Sequence, residues 1–306
     1  MEKDSMTLER YKNYQRVIGD GDSDYIRFIH TILASCSLPI RKPPDHTKEY
    51  HRKNGYMSLV VEAGYLPDED GNMIRMSIPY SSKPRLLLIH LCSEAVKKQT
   101  NEIEIKDSMS AFIRSLGYSV TGGKNGTINS FKTQLNNLYA CRFTLGWQQK
   151  TREGKNVDML DVKPIKSVRV FFPRDPRQKQ LWNSIIYLDK EFLSHLLRHS
   201  LPLDGRSLMA LKHSSHALDT YLWLAYRLPR VTETNGLFLS YETLKSQFAD
   251  DKTLHQNFVR DFKQAIRLVL SVYRGARIID EGLGIRIYRS SPPISNKTVL
   301  NLPVCK

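Results

Sequence analysis

The stretch that most constrains the fold runs from Asn257 to Arg274: Asn-Phe-Val-Arg-Asp-Phe-Lys-Gln-Ala-Ile-Arg-Leu-Val-Leu-Ser-Val-Tyr-Arg. At about 100° per residue on a helix, Phe258, Phe262, Ala265, Ile266, Val269 and Tyr273 share one face. Arg260, Lys263, Arg267 and Arg274 share the other, with Gln264 and Ser271 beside them. A helix that buries one side and shows a narrow cationic stripe on the other has the form of a DNA-reading helix.

A second helix with the same division lies upstream, from Thr127 to about Cys141. Ile128, Phe131, Leu135 and Leu138 mark its buried face, and Asn129, Lys132, Thr133 and Asn136 its polar face. Asn can make two hydrogen bonds to an adenine edge in the major groove, and Lys can reach guanine or phosphate. A solvated polar helix face would look the same in isolation. Two neighbours favour contact with DNA: the loop Thr121–Gly126 with Lys124, and the basic turn with Lys150, Arg152 and Lys155. In the downstream half, Arg286 and Arg289 are candidates for phosphate contact from the strand that follows the long helix.

The elements around these helices recur in order. In the first half Pro84 opens an apolar helix to about Gln99. Asp107 or Ser108 caps a shorter helix that Gly117 ends, and the polar-faced helix and a strand follow. In the second half an apolar helix covers Ser214–Leu228, a capped helix runs from Ser240 through Phe248, and the long basic helix precedes a hairpin across Glu281–Gly284. Helix, helix, long helix, hairpin is the order of a winged helix, a helix-turn-helix with a strand pair appended. The expected class is α+β, mainly α, with two tandem winged-helix domains at 56–185 and 186–294. Residues 1–55 read as an N-terminal arm whose one helical island is Tyr25–Leu33, and residues 295–306 as a flexible tail.

Charge agrees with a polyanion partner. The 306 residues carry 46 Lys and Arg against 31 acidic residues, a formal +15 and a pI near 9.6. No signal peptide and no apolar run of about 20 residues is present, so no membrane is expected and the protein reads as cytoplasmic. Cys36, Cys92, Cys141 and Cys305 are far apart and read as reduced thiols.

Enzyme readings fare poorly. Gly117–Lys124 is one residue too long for a P-loop, and Asn125 stands where Ser or Thr should bind magnesium. His195/His199 and His213/His216 lack further ligands for zinc. No His-x-His pair supports a nicking enzyme. We expect no catalytic residue, no metal and no cofactor.

Several co-linear motifs carry a family resemblance. They are Ile78-Pro-Tyr-Ser-Ser-Lys-Pro-Arg-Leu-Leu-Leu-Ile-His-Leu-Cys-Ser-Glu-Ala-Val96, the run Glu102–Gly117, Gly122-Gly-Lys-Asn-Gly126, Phe258–Tyr273, Gly282-Leu-Gly-Ile285 and Ser290-Ser-Pro-Pro293. Over about residues 24–294 the chain resembles the plasmid-encoded replication protein RepA family. The resemblance implies a bacterial plasmid replication initiator that binds direct repeats (iterons) in origin duplex DNA. It also implies opening of adjacent DNA, recruitment of host helicase and primase, and a monomer–dimer equilibrium. The family pattern usually has Pro where this chain has Arg274, so Arg274 rests on helical geometry alone. A transcriptional repressor built on the same domains is the competing reading.

Overall fold

The computed structural model describes residues 9, 25–105, 109–150, 154–169, 184–249 and 253–294. They fall into two compact units. A central unit comprises the described residues of 38–51 and 56–199. A C-terminal unit comprises those of 25–37, 52–55 and 200–294. The division differs from the expected boundaries near 55 and 185, because residues 25–37 group with the C-terminal unit.

The first described segment corrects a sequence expectation. Tyr25–Leu33 is not one helix but strand β1 (Ile26–His30) followed by the one-turn helix α1 (Thr31–Ser35). Its apolar residues satisfy both periods, and pairing with a distant strand decides between them. That strand is β11 (Ser200–Asp204), antiparallel in the register Ile26↔Asp204 to His30↔Ser200.

Strands β2 (Glu49–Asn54) and β3 (Met57–Glu62) precede a turn at 67–72, where Pro-Asp-Glu-Asp-Gly-Asn is a turn-forming run. The Asp68 carboxylate holds that turn by accepting from Asp70 N at 3.0 Å and Asn72 N at 2.8 Å. Short strands β4 (Tyr65–Pro67) and β5 (Met73–Arg75) pair across it. Helix α2 (Ser82–Lys98) buries Leu86, Leu87, Leu88, Ile89 and Leu91. Arg85 on this helix is itself buried, and its guanidinium donates to the carbonyls of Leu38, Pro39 and Ser81. One arginine thereby fixes both the helix start and the chain leading to it.

There follow β6 (Glu102–Ile105), α3 (Met109–Ser115), α4 (Thr127–Ala140), β7 (Arg142–Lys150), β8 (Lys155–Val162), β9 (Ile165–Arg169), β10 (Ser184–Leu188) and α5 (Lys190–Arg198). Strand β9 is described to Arg169; residues 170–172 lie outside the described residues. Strands β3, β7 and β8 are antiparallel neighbours. A separate sheet has the order β6-β10-β9.

The C-terminal unit continues from β11 with α6 (Gly205–Leu211), α7 (Ser215–Arg227), β12 (Leu237–Ser240), α8 (Tyr241–Phe248), α9 (His255–Val272), β13 (Arg277–Asp280) and β14 (Gly284–Tyr288). Its sheet has the order β12-β14-β13. The two units therefore repeat one plan. A helix, a strand, two helices and two further strands follow in sequence, and the first strand pairs with the last. In the central unit the pair that corresponds to β13–β14 is β9–β10. The long β7–β8 hairpin is an insertion between α4 and β9. Its register is specified by β3, so it joins a different sheet.

The C-terminal core is aromatic. Phe258 and Phe262 of α9 stack at 5.3 Å between centroids, Phe262 meets Phe248 at 5.5 Å, and Phe248 meets Trp223 of α7 edge-on at 5.3 Å. A buried ion pair, Asp204–Arg206 at 3.0 Å, has its guanidinium 4.1 Å from the Tyr25 ring. Cys36, Cys92 and Cys141 are buried and outside any disulfide, and burial pushes the Cys36 and Cys141 thiols up to about 12.

Candidate nucleic-acid interface

Helix α9 divides its residues as its sequence predicts. Phe258, Phe262, Ala265, Ile266, Leu268, Val269 and Val272 are buried, and Tyr273 just beyond the helix is buried too. Arg260 and Arg267 are exposed, and Lys263 and Gln264 half-buried. The stripe is less free than a list of cations suggests. Arg260 pairs with Asp261 at 2.9 Å, and Lys263 pairs with Asp280 at 2.8 Å, 5.2 Å from the Tyr241 ring. Burial raises the Asp280 carboxyl, but hydrogen bonds from Lys263, Gly282 N and the Tyr241 hydroxyl more than offset it and hold the group below its ordinary range. Arg267 is the member with no recorded partner among the described residues.

Three downstream candidates lie apart from the stripe. The helix ends at Val272, so Arg274 does not extend the stripe; it lies exposed in the turn before β13. Tyr273 caps the helix end, its side chain buried and its hydroxyl donating to Ser291 O at 2.5 Å. Arg286 is in β14 but forms a two-pronged pair with Glu281, at 2.6 and 3.1 Å, beside the Phe238 ring. Arg289 lies exposed just past the end of β14.

In the central unit α4 is set by its entry loop. Thr121 and Thr127 cap each other: Thr127 N donates to Thr121 Oγ1 at 3.0 Å and Thr121 N to Thr127 Oγ1 at 2.9 Å. A Cβ on Gly126 would lie 2.3 Å from Gly122 O and 2.4 Å from Thr121 O, so only glycine closes this loop. Lys124 is exposed, and its carbonyl accepts from Asn129 Nδ2 at 2.9 Å. Asn129 and Thr133 are exposed and Lys132 and Asn136 half-buried. Phe131, Leu135 and Leu138 are buried as expected, whereas Ile128 is only half-buried. Lys155 is exposed and pairs in register with Lys150 at the end of the β7–β8 hairpin. The Lys150 side chain and all of Arg152 lie outside the described residues.

Sequence reading missed Lys83. Its ammonium crosses from the first turn of α2 to α4, donating to Ser130 Oγ at 2.5 Å and lying 5.7 Å from the Phe131 ring. Gln134, also on α4, accepts from Tyr80 N at 3.0 Å. The start of α2 thus flanks the polar stripe of α4. Burial lowers the Lys83 pKa, and no carboxylate pairs with it among the described residues. The Ser-Lys-Pro-Arg run carried the only signal, as a motif without a visible partner.

His195 and His199 stack on each other at 4.5 Å, with the Trp147 ring 4.6 Å from His195. Burial, then the neighbouring His199 and Arg198 charges, lower His195 to about 4. Among the described residues, no three His, Cys, Asp or Glu side chains gather as metal ligands. No described helix is long and apolar enough to cross a membrane.

The chain thus carries a duplicated helix-and-sheet plan with a net positive charge and a polar or cationic stripe on the long helix of each unit. The family described as plasmid-encoded RepA protein matches residues 78–242, more than half of the chain, and the chain belongs to that family. Two solved structures share the fold: a selenomethionine form of domains 2 and 3 of RctB, and RctB domains 2–3. Each has a TM-score of 0.50 at 10% identity over 84% of this chain, covering 98% and 96% of those chains. No curated protein matches.

Proposed function

We propose that this chain is a plasmid replication initiator that binds repeated duplex sites in its origin through two winged helices. It opens neighbouring DNA, recruits host helicase and primase, and has no enzymatic activity of its own. The observation that carries this is the repeated plan: α2–β6–α3–α4–β9–β10 and α7–β12–α8–α9–β13–β14, with matching strand orders. In a winged helix the last helix before the strand pair enters the major groove and the strand pair meets the backbone. That assigns reading to α4 and α9. Asn129, Lys132, Thr133 and Asn136 read on one, and Arg260, Lys263, Gln264 and Arg267 on the other. Lys124, Arg286 and Arg289 are backbone contacts, and Arg274 remains a contact from the turn. The cations of the β7–β8 end, Lys150, Arg152 and Lys155, act as a separate arm, since β9–β10 is the wing of the central unit.

In vitro selection from random duplexes, followed by footprinting on the plasmid carrying the gene, tests this. A recurring site, repeated in the plasmid, is expected. If six to ten phosphates are neutralised, the log–log salt slope is roughly −5 to −9. A slope near −2 leaves one small contact patch and refutes two-headed binding. Supplying the protein in trans to an origin plasmid then separates an initiator, which sustains replication, from a repressor, which does not.

A further inference from the structure

Leu283 is 82% exposed, more than any other large apolar side chain among the described residues. It ends the three-residue turn Glu281-Gly282-Leu283 that joins β13 to β14. Single exposed leucines are ordinary on protein surfaces and by themselves mean little. This one is held in place. Glu281 N donates to Gly284 O at 2.9 Å, Leu283 N to Glu281 O at 3.0 Å, and Tyr241 N to Leu283 O at 3.0 Å. The Asp280 carboxylate accepts from Gly282 N at 3.0 Å, from the Tyr241 hydroxyl at 2.9 Å and from Lys263 at 2.8 Å. Gly282 has φ +81°, and a Cβ on Gly284 would sit 2.3 Å from Leu239 O and 2.8 Å from the Phe238 ring. These bonds fix the backbone of the turn, so the point from which the Leu283 side chain projects is held.

The charges around the turn are paired in the free protein. Lys263 pairs with Asp280 and Arg286 with Glu281, so the side chain that projects furthest from the turn is apolar on a chain of formal charge +15. A basic tip would neutralise phosphate. A fixed apolar tip suits a different task, since apolar side chains that enter the minor groove wedge between base pairs and kink the duplex.

We infer that Leu283 is such a wedge, entering the minor groove at one base step and partly unstacking it while α9 occupies the major groove. This rests on the proposed duplex-reading function and adds a deformation step to it. Flexible pyrimidine–purine steps, TA above all, deform at least cost and are the steps it selects. The initiator then strains the duplex at the site it reads.

The test uses the full chain and the duplex recovered by selection, with 2-aminopurine replacing one adenine at a time. Wild-type protein is expected to raise the fluorescence several-fold at one step and to bend an end-labelled duplex. Leu283→Ser is expected to abolish both responses, lose about tenfold or less in affinity, and melt as wild type does. Leu283→Met is expected to keep them. Tight wild-type binding with no fluorescent step, or an undiminished response from Leu283→Ser, overturns the wedge and leaves duplex reading intact. If wild-type protein selects no duplex, the proposed function fails and the wedge with it.

Discussion

The division of α9 into a structural face and a reading face yields a paired prediction. Phe262 is 1% exposed, stacks on Phe258 and meets Phe248 at a tilt. Truncation to alanine removes the ring from a close-packed aromatic row and leaves a cavity, which costs about 3–5 kcal/mol. The described part of the C-terminal unit has roughly 110 residues, and at about 2.1 cal/mol/K per residue its unfolding entropy is about 0.23 kcal/mol/K. Phe262→Ala should therefore lower the melting temperature of that unit by roughly 13–22 °C. Arg267 lies five residues on, exposed and without a recorded partner among the described residues. Alanine and arginine have similar helix propensity, so Arg267→Ala should change stability by about 0.5 kcal/mol or less, within roughly 2 °C. Loss of a base-reading guanidinium costs about 1–3 kcal/mol, roughly 5- to 150-fold in affinity for the selected duplex. Scanning calorimetry and gel shifts on both variants provide the assay. A melting temperature for Arg267→Ala as low as that for Phe262→Ala, or an unshifted one for Phe262→Ala, would show the two faces to be assigned the wrong way round.

In the central unit, Asn129→Ala and Asn136→Ala should each cost about 1–3 kcal/mol on the selected duplex and little on random DNA. Lys155→Ala should weaken both alike and make the salt slope about one unit shallower. Equal losses on random DNA for the Asn variants would mean that α4 reads no sequence. Lys83→Met should melt no lower than wild type, because it removes a half-buried ammonium that no carboxylate offsets, yet it should weaken duplex binding at low salt; a lower melting temperature with unchanged binding would make Lys83 purely structural. Acidification should destabilise the central unit through His195. Its folded pKa, about 4, lies below the ordinary value near 6.5, so the unfolded chain binds the extra proton first. The stabilisation is complete above about 6.5 and declines as pH falls toward about 4. His195→Asn should flatten that part of the melting-temperature profile, and an unchanged slope would assign the titration elsewhere.

Periodicity alone determined the two long amphipathic helices and their buried faces. Phe131, Leu135, Leu138, Phe258, Phe262 and Val269 lie inside because a helix of 3.6 residues per turn has one side to hide. Local chemistry likewise determined the 67–72 turn, held by Asp68. Choices that depend on distant partners were not legible. Residues 26–30 satisfy both helix and strand patterns, and β11, some 170 residues away in sequence, made them a strand. Nothing local to the strand after α4 shows that it joins the sheet of β3 while β9–β10 forms the closing pair of its half. Charge counting could not see that Asp280 and Glu281 engage Lys263 and Arg286, or that Lys83 reaches Ser130 across two helices. Repeating patterns along the chain specify elements and their apolar sides. Strand partners, ion pairs and the projection of Leu283 depend on which residues become neighbours, and only the tertiary structure decided that.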